Sequence, residues 1–575
     1  MLVCSALAQQ CCAGLFVIVC TLAVLRLAQW YRKLQILQRL PHPKGRWLLG
    51  SVADIASPTH HKWLTACAAE LGGIFSLRLA VINAVIVTDP HLVAEVLSRS
   101  GEVEKSVDSV YSHFNVLLHA KGLPNIFTSR TDDYWKLVRK SVAPAFNPKN
   151  IRKGFGHVLQ VNRQLIDILR GRGPTTTVDL DNATQRLTLD VIGRVGFEKD
   201  FGATRSLDDN AANIAFDTMG AGRDEGVKRW NNPLRRHLKF LPSVRKGEQD
   251  FCRFRKIMAD LLVEIKARGE PSDDDTSIAT HLLRIRDPAT GKALPDDRLA
   301  AEIGVFFTGG FETTGHTIAW TLFMISQHPE VEAKVLAELD SLGLLVTTAR
   351  PSPRAMEYDD IAKLTYTTAA TKESMRMLPV LTDGTNRTTD KDMLLGGHLI
   401  PAGTMIWIPF NALFNSPHNW DQPMVYRPER WSEPGAEYAK APQQSPAPAT
   451  GKPPATLAAA VALQASAGLA ANGGLSDPTT AITAGKPPAK QAEAEGTPGG
   501  RVKRFMPFSE GRRDCVGQNL ARMNYTTTLA MLLAHFSFKL APEMGGMEGV
   551  RASESSGLLT LQPTNGIHMF CIPRA

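Results

Sequence analysis

Phe508-Ser509-Glu510-Gly511-Arg512-Arg513-Asp514-Cys515-Val516-Gly517 is the stretch that decides the fold. It has the form F-x-x-G-x-R-x-C-x-G, and the run Gln518–Leu533 behind it reads as a helix. A cysteine on a tight turn ahead of a helix receives backbone N–H groups from the first turn. Those donors and the helix dipole stabilise a thiolate. Gly511 and Gly517 let the backbone lie flat against a large planar ligand, and Arg513 supplies a cation for a carboxylate. A lone cysteine is usually a buried structural residue, but here its neighbours are specified along with it.

Upstream, the longest expected helix runs from Pro295-Asp296-Asp297 to Gln327, ahead of His328-Pro329. At 1.5 Å per residue its roughly 32 residues span about 48 Å. It is apolar almost all round and therefore buried, yet its centre holds Gly309, Gly310, Glu312, Thr313 and Thr314. A glycine in a helix costs about 1 kcal/mol relative to alanine, so a soft, polar middle implies that something approaches the backbone there. His316, three residues after Thr313, reads as a satisfied core or solvent-facing histidine rather than a metal ligand. The rest of 51–432 is mostly helical in pattern. Ile74–Thr88 reads as a hairpin, Pro90–Leu97 as a short helix, and Asp392–Pro409 as a strand pair with turns at Gly396-Gly397 and Pro401-Ala402-Gly403.

The Cys515 loop resembles the haem-ligand loop of the cytochrome P-450 superfamily, and further motifs stand in that family's order. They are Trp135-x-x-x-Arg139, Gly309-Gly310-Phe311-Glu312-Thr313-Thr314, Glu373-x-x-Arg376, Arg387, and Pro428-Glu429-Arg430-Trp431. The resemblance implies a mainly α fold with small β-sheets (α+β), and haem b as cofactor with Cys515 as the iron ligand. Phe508, Gly511, Arg513 and Gly517 would surround it, and Trp135, Arg139 and Arg387 would reach the haem propionates. The central-helix glycines would open a groove for dioxygen, and Glu312 and Thr313 would deliver protons to the distal oxygen. Glu373, Arg376 and Arg430 would form a buried salt-bridged triad with a structural role. A thiolate trans to oxygen favours O–O cleavage. Position 512 is Arg where the family often has Pro.

Composition frames this reading. The chain has 575 residues, 43% hydrophobic and 21% charged, enough for one large domain with a real core. Its net charge of +9 suits an anionic membrane or an acidic protein partner; nucleic acid is not expected. Of eight cysteines, four lie in the first twenty residues and none forms C-x-x-C, which excludes a disulfide framework and argues against structural zinc. The first acid is Asp54, and Met1–Leu25 is almost wholly apolar, followed by Trp30-Tyr31 among Arg26, Arg32 and Lys33. Residues 1–33 therefore read as an uncleaved transmembrane anchor with the remainder in the cytosol; an organelle transit peptide would be richer in Arg and Ser. A Pro-rich basic linker occupies 34–50. The catalytic domain spans 51–432 and 501–575. Between its parts, 433–500 is rich in Ala, Pro and Gly, repeats GKPPA at Gly451 and Gly485, and reads as a disordered insertion in which Leu457–Leu469 forms a transient helix.

The implied reaction is oxygen insertion into a lipophilic organic substrate by a monomeric haem-thiolate monooxygenase. No dinucleotide or phosphate-loop motif occurs, so a redox partner is required, and with a cytosol-facing anchor the expected donor is an NADPH-dependent flavoprotein reductase. Lys136, Lys140, Arg501, Lys503, Arg504 and Arg512 would form its basic docking face. The expected location is the endoplasmic reticulum membrane, with a plastid or other organelle as the alternative. Two other classes remain: a haem-thiolate isomerase or dehydratase acting without dioxygen, and a non-catalytic haem-binding sensor. Neither needs the Glu312-Thr313 pair. The substrate pocket is expected from 105–127, 200–245, Val380–Thr385 and Ser555–Thr560, including Phe201, Leu381, Thr382 and Asp383.

Overall fold

A computed structural model describes the chain except residues 1, 100, 273, 440–500 and 557–559 and scattered positions within 108–121 and 208–236. Helix α1 (Leu2–Leu37) leads into the domain. Strands β1 (Ile74–Leu79), β2 (Ile82–Val87) and β3 (Val103–Lys105) follow. Next come α2 (Asp133–Val142), α3 (Pro148–Arg172), β4 (Thr177–Asp179), α4 (Leu180–Phe197), α5 (Pro242–Ala267) and α6 (Asp296–Ser326). Helix α7 (Thr365–Met377) precedes β5 (Thr385–Thr389), β6 (Met393–Leu395), β7 (His398–Ile400) and β8 (Met405–Ile408). The chain closes with α8 (Gln518–His535), β9 (Phe536–Leu540), β10 (Glu554–Ser556), β11 (Leu561–Pro563) and β12 (His568–Pro573). This is the expected mainly α fold with small sheets.

The largest sheet has the order β1-β2-β8-β5-β3. The hairpin expected over Ile74–Thr88 is β1–β2. The pair expected over Asp392–Pro409 divides. β6 and β7 pair across Gly396 and Gly397, both at positive φ, while β8 leaves to run parallel to β2 and antiparallel to β5. Its four residues are all buried, which a two-stranded hairpin could not provide.

The expected long helix is α6, within a residue at each end. It packs against α4 at unusually close range. A Cβ on Gly310 would meet Ile192 Cγ1 at 2.5 Å, and one on Gly315 would meet Gln185 Cα at 2.8 Å. Two α4 hydroxyls, of Thr184 and Thr188, donate to the Gly315 and Phe311 carbonyls at 2.9 Å each. Asp132 caps α2 by accepting the Trp135 N–H, which fixes where the tryptophan enters.

Two expected boundaries shift. Helix α1 runs unbroken through residue 33, and Leu37 and Leu40 are buried in the domain. Trp30 Nε1 donates to the Val81 carbonyl at 2.7 Å and Lys33 Nζ to that of Ala402 at 2.6 Å. The end of the apolar helix is thus docked onto the sheet, whereas residues 14–28 are exposed. At the other boundary, residues 433–439 belong to the domain: Glu437 pairs with Lys372, and Tyr438 forms a β-bridge with Lys503. Residues 440–500, with the helix expected at Leu457–Leu469, lie outside the described residues.

Candidate active site

The Cys515 loop is closed by its own backbone. Cys515 N–H donates to the Phe508 carbonyl at 2.9 Å and Asp514 N–H to that of Gly511 at 3.1 Å. Gly511 takes φ +76°, the left-handed conformation glycine adopts most easily. Arg139 of α2 clamps the loop, donating to the Asp514 carbonyl at 2.9 Å and pairing with its carboxylate. Arg512, where the family often has Pro, is exposed. The Cys515 side chain opens onto a cavity of about 320 Å³ that the fold otherwise encloses. Burial pushes its thiol pKa up, while the Gly517 N–H and Arg139 draw it down less strongly. The expected donor at the helix start is present, but it does not ionise the thiol by itself; a bound metal cation would.

The other wall of the cavity is the middle of α6: Gly309, Gly310, Thr313, Thr314 and Thr317. The glycines divide the work. A Cβ on Gly309 would meet nothing within 4 Å, whereas Gly310 makes room for α4. Thr313 Oγ1 donates to the Gly309 carbonyl at 2.8 Å. Glu312 is next in sequence but lies behind the wall, buried, its Oε1 accepting the Thr560 hydroxyl at 2.7 Å. Of the two expected settings for His316 the structure has the buried one, its Nδ1 2.6 Å from Asp181 Oδ1. Phe114, Ile126, Phe306, Val380 and Leu381 make much of the remaining lining apolar.

One edge of the cavity is cationic. Trp135, Arg139, Arg513 and Lys105 all line it. The Arg513 guanidinium lies 4.3 Å from the centre of the Trp135 ring and donates to the Ser129 carbonyl at 2.9 Å. Burial pushes its pKa down to about 10. Arg387 is corrected by one layer: it does not line the cavity, and its Nη1 donates to the Thr385 hydroxyl and the Asn386 carbonyl behind the wall. Its cross-strand partner is Lys105, directly opposite on β3. Burial, together with Arg387 and Arg513, pushes Lys105 down to about 8 against the opposing pull of Tyr111. Its Nζ donates to the Tyr111 hydroxyl at 3.0 Å.

Like charges directly opposite in a buried strand pair repel. Glu104 is the carboxylate that acts on both Arg387 and Arg513, so the edge carries more positive than negative charge. A planar dianion presenting two carboxylates, with a metal over Cys515, fits this donor set. Lys105 opens the expected pocket segment 105–127, but no motif marks it for the cationic edge; only the β3–β5 register places it beside Arg387.

The triad assembles beneath the site. Arg376 Nη2 and Arg430 Nε lie 2.9 and 3.1 Å from Glu373 Oε1, and all three side chains are buried. Trp431 Nε1 adds a bond of 3.1 Å to Oε2. Other expectations change. Phe201 packs edge-on against Phe307 and does not line the cavity. Asp383 turns away to His60, 2.7 Å from its Nε2. Arg504 is no docking residue: it donates to the Ala436 and Asn419 carbonyls and lies 4.0 Å over the Trp420 ring. Parts of 105–127, 200–245 and Ser555–Thr560 fall outside the described residues.

Comparison with known proteins agrees with this geometry. The cytochrome P450 family model matches residues 40–447 and 492–568, leaving out the middle of the insertion. The chain is 28% identical to cyclooctat-9-en-7-ol 5-monooxygenase of Streptomyces melanosporofaciens, over 63% of this chain and 72% of that protein. It is 24% identical to protein LUTEIN DEFICIENT 5, chloroplastic, of Arabidopsis thaliana, over 87% and 73%. It is also 24% identical to cytochrome P450 3A5 of Homo sapiens, over 68% and 76%.

Proposed function

From the premise that this chain belongs to the cytochrome P450 family and is a haem-thiolate monooxygenase, we propose the residues, partner and substrate class by which it acts. Cys515 is the iron ligand, Glu312 and Thr313 handle protons, and the substrate is a lipophilic organic compound. The observation that carries this is that Cys515 and Thr313 line one cavity, with Glu312, the preceding residue on α6, buried outside it. Haem b, bound there, supplies the oxygen chemistry: one atom of dioxygen enters the substrate and the other leaves as water, consuming two electrons and two protons. Arg513, Arg139 and Lys105 hold the carboxylate edge of the cofactor, with Trp135 fixing the Arg513 plane and Arg387 adding charge from behind. Gly309 leaves space beside the helix, and the Thr313 hydroxyl, its proton donated to the Gly309 carbonyl, offers that space an oxygen that can accept a hydrogen bond. The apolar lining excludes water and favours an apolar substrate.

Electrons reach the domain from an NADPH-dependent flavoprotein reductase that docks on Lys136, Lys140, Arg501, Lys503 and Arg512. The helix α1 anchors a monomer to the endoplasmic reticulum membrane, its catalytic domain in the cytosol; a plastid membrane is the alternative. Two measurements test these assignments. Cys515→Ala should abolish the red-shifted Soret band of the reduced CO complex; a retained band would remove Cys515 as ligand. Reductase-supported turnover should fall as ionic strength rises, and a rate indifferent to salt would dismiss the docking face.

A further inference from the structure

Resting on the proton-handling role of Glu312 and Thr313 above, we infer that His316 and Asp181 are positioning residues that hold Glu312 and restore its proton between turnovers. Glu312 and His316 lie one turn apart on α6, on the side away from the cavity. His316 Nε2 stands 3.9 Å from Glu312 Oε1, and its Nδ1 lies 2.6 Å from Asp181 Oδ1 on α4. The second Asp181 oxygen accepts Gln185 Nε2 at 2.7 Å. Exposure is 1% for His316, 3% for Glu312 and 6% for Asp181. Charged groups facing the imidazole include Asp181 from α4 and Glu312 from its own helix. Behind Asp181 stand Asp179, at the N-cap of α4, and His568 of β12, its register partner.

This arrangement moves protons in one direction. Asp181 takes the Nδ1–H, which fixes the ring orientation and turns Nε2 toward Glu312. The overall reaction, RH + O2 + 2H⁺ + 2e⁻ → ROH + H2O, draws both electrons from the reductase and both protons from the protein. When Glu312 has passed its proton toward Thr313, a bare carboxylate is left in a buried site. The imidazolium Nε2–H bond then breaks and an O–H bond forms on Glu312. The neutral ring, its Nδ1–H still held by Asp181, regains a proton at Nε2 from bulk solvent through a transient water, and Asp181 stabilises the imidazolium that results. At 3.9 Å the transfer needs a small side-chain rotation or one bridging water. Thr560, bonded to the same Glu312 oxygen, keeps the carboxylate within reach of both partners.

The test uses the full-length holoenzyme with an NADPH-dependent flavoprotein reductase and no added substrate, so that dioxygen leaves as peroxide (two electrons) or water (four). Residues 316 and 181 are varied as His316→Phe and Asp181→Asn, and the ratio of peroxide released to NADPH oxidised is followed against pH. Each variant should cut the share of electrons reaching water about tenfold and flatten its pH dependence, with an unchanged CO-bound Soret band. If Thr313→Ala diverts electrons to peroxide while H316F keeps the wild-type partition and pH profile, the relay is overturned and the Thr313 reading stands. If Thr313→Ala itself changes nothing, the reading beneath the relay fails. Should H316F not retain haem, nitrogen-15 histidine NMR of the wild-type ferrous CO complex decides. A hydrogen-bonded Nδ1–H on His316 supports the pair, and an Nδ1 without its proton overturns it.

Discussion

Glu373 gathers five donors on two oxygens. Oε1 takes Arg376 Nη2, Arg430 Nε and the Arg427 backbone N–H, and Oε2 takes Arg376 Nε and Trp431 Nε1. Both guanidinium groups are completed by carbonyls, Arg376 on Phe414 and Pro423, Arg430 on Asp421. A buried charge set of this kind is stable only while complete. Glu373→Gln should therefore destabilise the fold by about 3–5 kcal/mol, read as a lower urea midpoint and a smaller yield of CO-binding protein. At Lys105 the energetics run the other way, because burial first, and Arg387 and Arg513 after it, disfavour its charge until an anion arrives. Lys105→Met should raise the stability of the haem-free protein while weakening haem retention, by about 1–3 kcal/mol for the lost charged hydrogen bond. Haem transfer to apomyoglobin reads the second effect, and equal retention in the variant would remove Lys105 from the cofactor site.

Among the elements, the glycines of α6 divide into Gly309, which faces the cavity, and Gly310 and Gly315, which let α4 approach. Gly309→Ala should leave the melting temperature unchanged or slightly raised, since alanine favours a helix by about 1 kcal/mol, yet perturb the Soret band because the methyl enters the cavity. Gly315→Ala, pressed on the α4 backbone, should destabilise by about 1–3 kcal/mol through overpacking. Equal thermal effects of the two would refute this division. The link between β10 and the helix His60–Leu71 predicts a pH dependence. Burial alone pushes the Glu554 carboxyl up, but His61, Arg551 and Lys62 together bring it down to about 2. Its folded pKa lies below the unfolded value, so the stabilisation is present in full above about pH 4.5 and is lost as pH falls from there toward 2. Glu554→Gln should cost on the order of 3 kcal/mol at neutral pH, with the gap to wild type closing on acidification. A gap that widened in acid would reverse the sign.

Over the whole molecule, the first helix divides into two parts. Its exposed part, from residue 14 to residue 28, suits a bilayer, whereas Trp30, Lys33 and Leu37 bind the sheet. Removing residues 2–26 should release the protein from membranes into the soluble fraction and keep the CO band. Removing 2–37 should lower the melting temperature as well, because it strips the sheet of the Trp30 and Lys33 contacts and the core of Leu37. Co-sedimentation with vesicles and thermal denaturation separate the two outcomes.

Resemblance to a known family pointed to the Cys515 loop and the triad residues, while the pattern of the sequence itself determined the long central helix, the β1–β2 hairpin and the apolar leader. Each is local: a fixed spacing, a helical period or an alternating strand can be read without knowing what packs against it. Tertiary structure decided the rest. That Lys105 shares the edge with Arg513, and that Arg387 stands behind, follows from a β3–β5 register between segments some 280 residues apart. Burial outweighing the helix-end donor at Cys515, Phe201 turning into the core, Arg504 turning onto Trp420, and Asp181 meeting His316 all depend on which surfaces close on which. Such contacts arise from long-range packing, where the free energy of enclosing a charge or an aromatic ring depends on partners that no local pattern names.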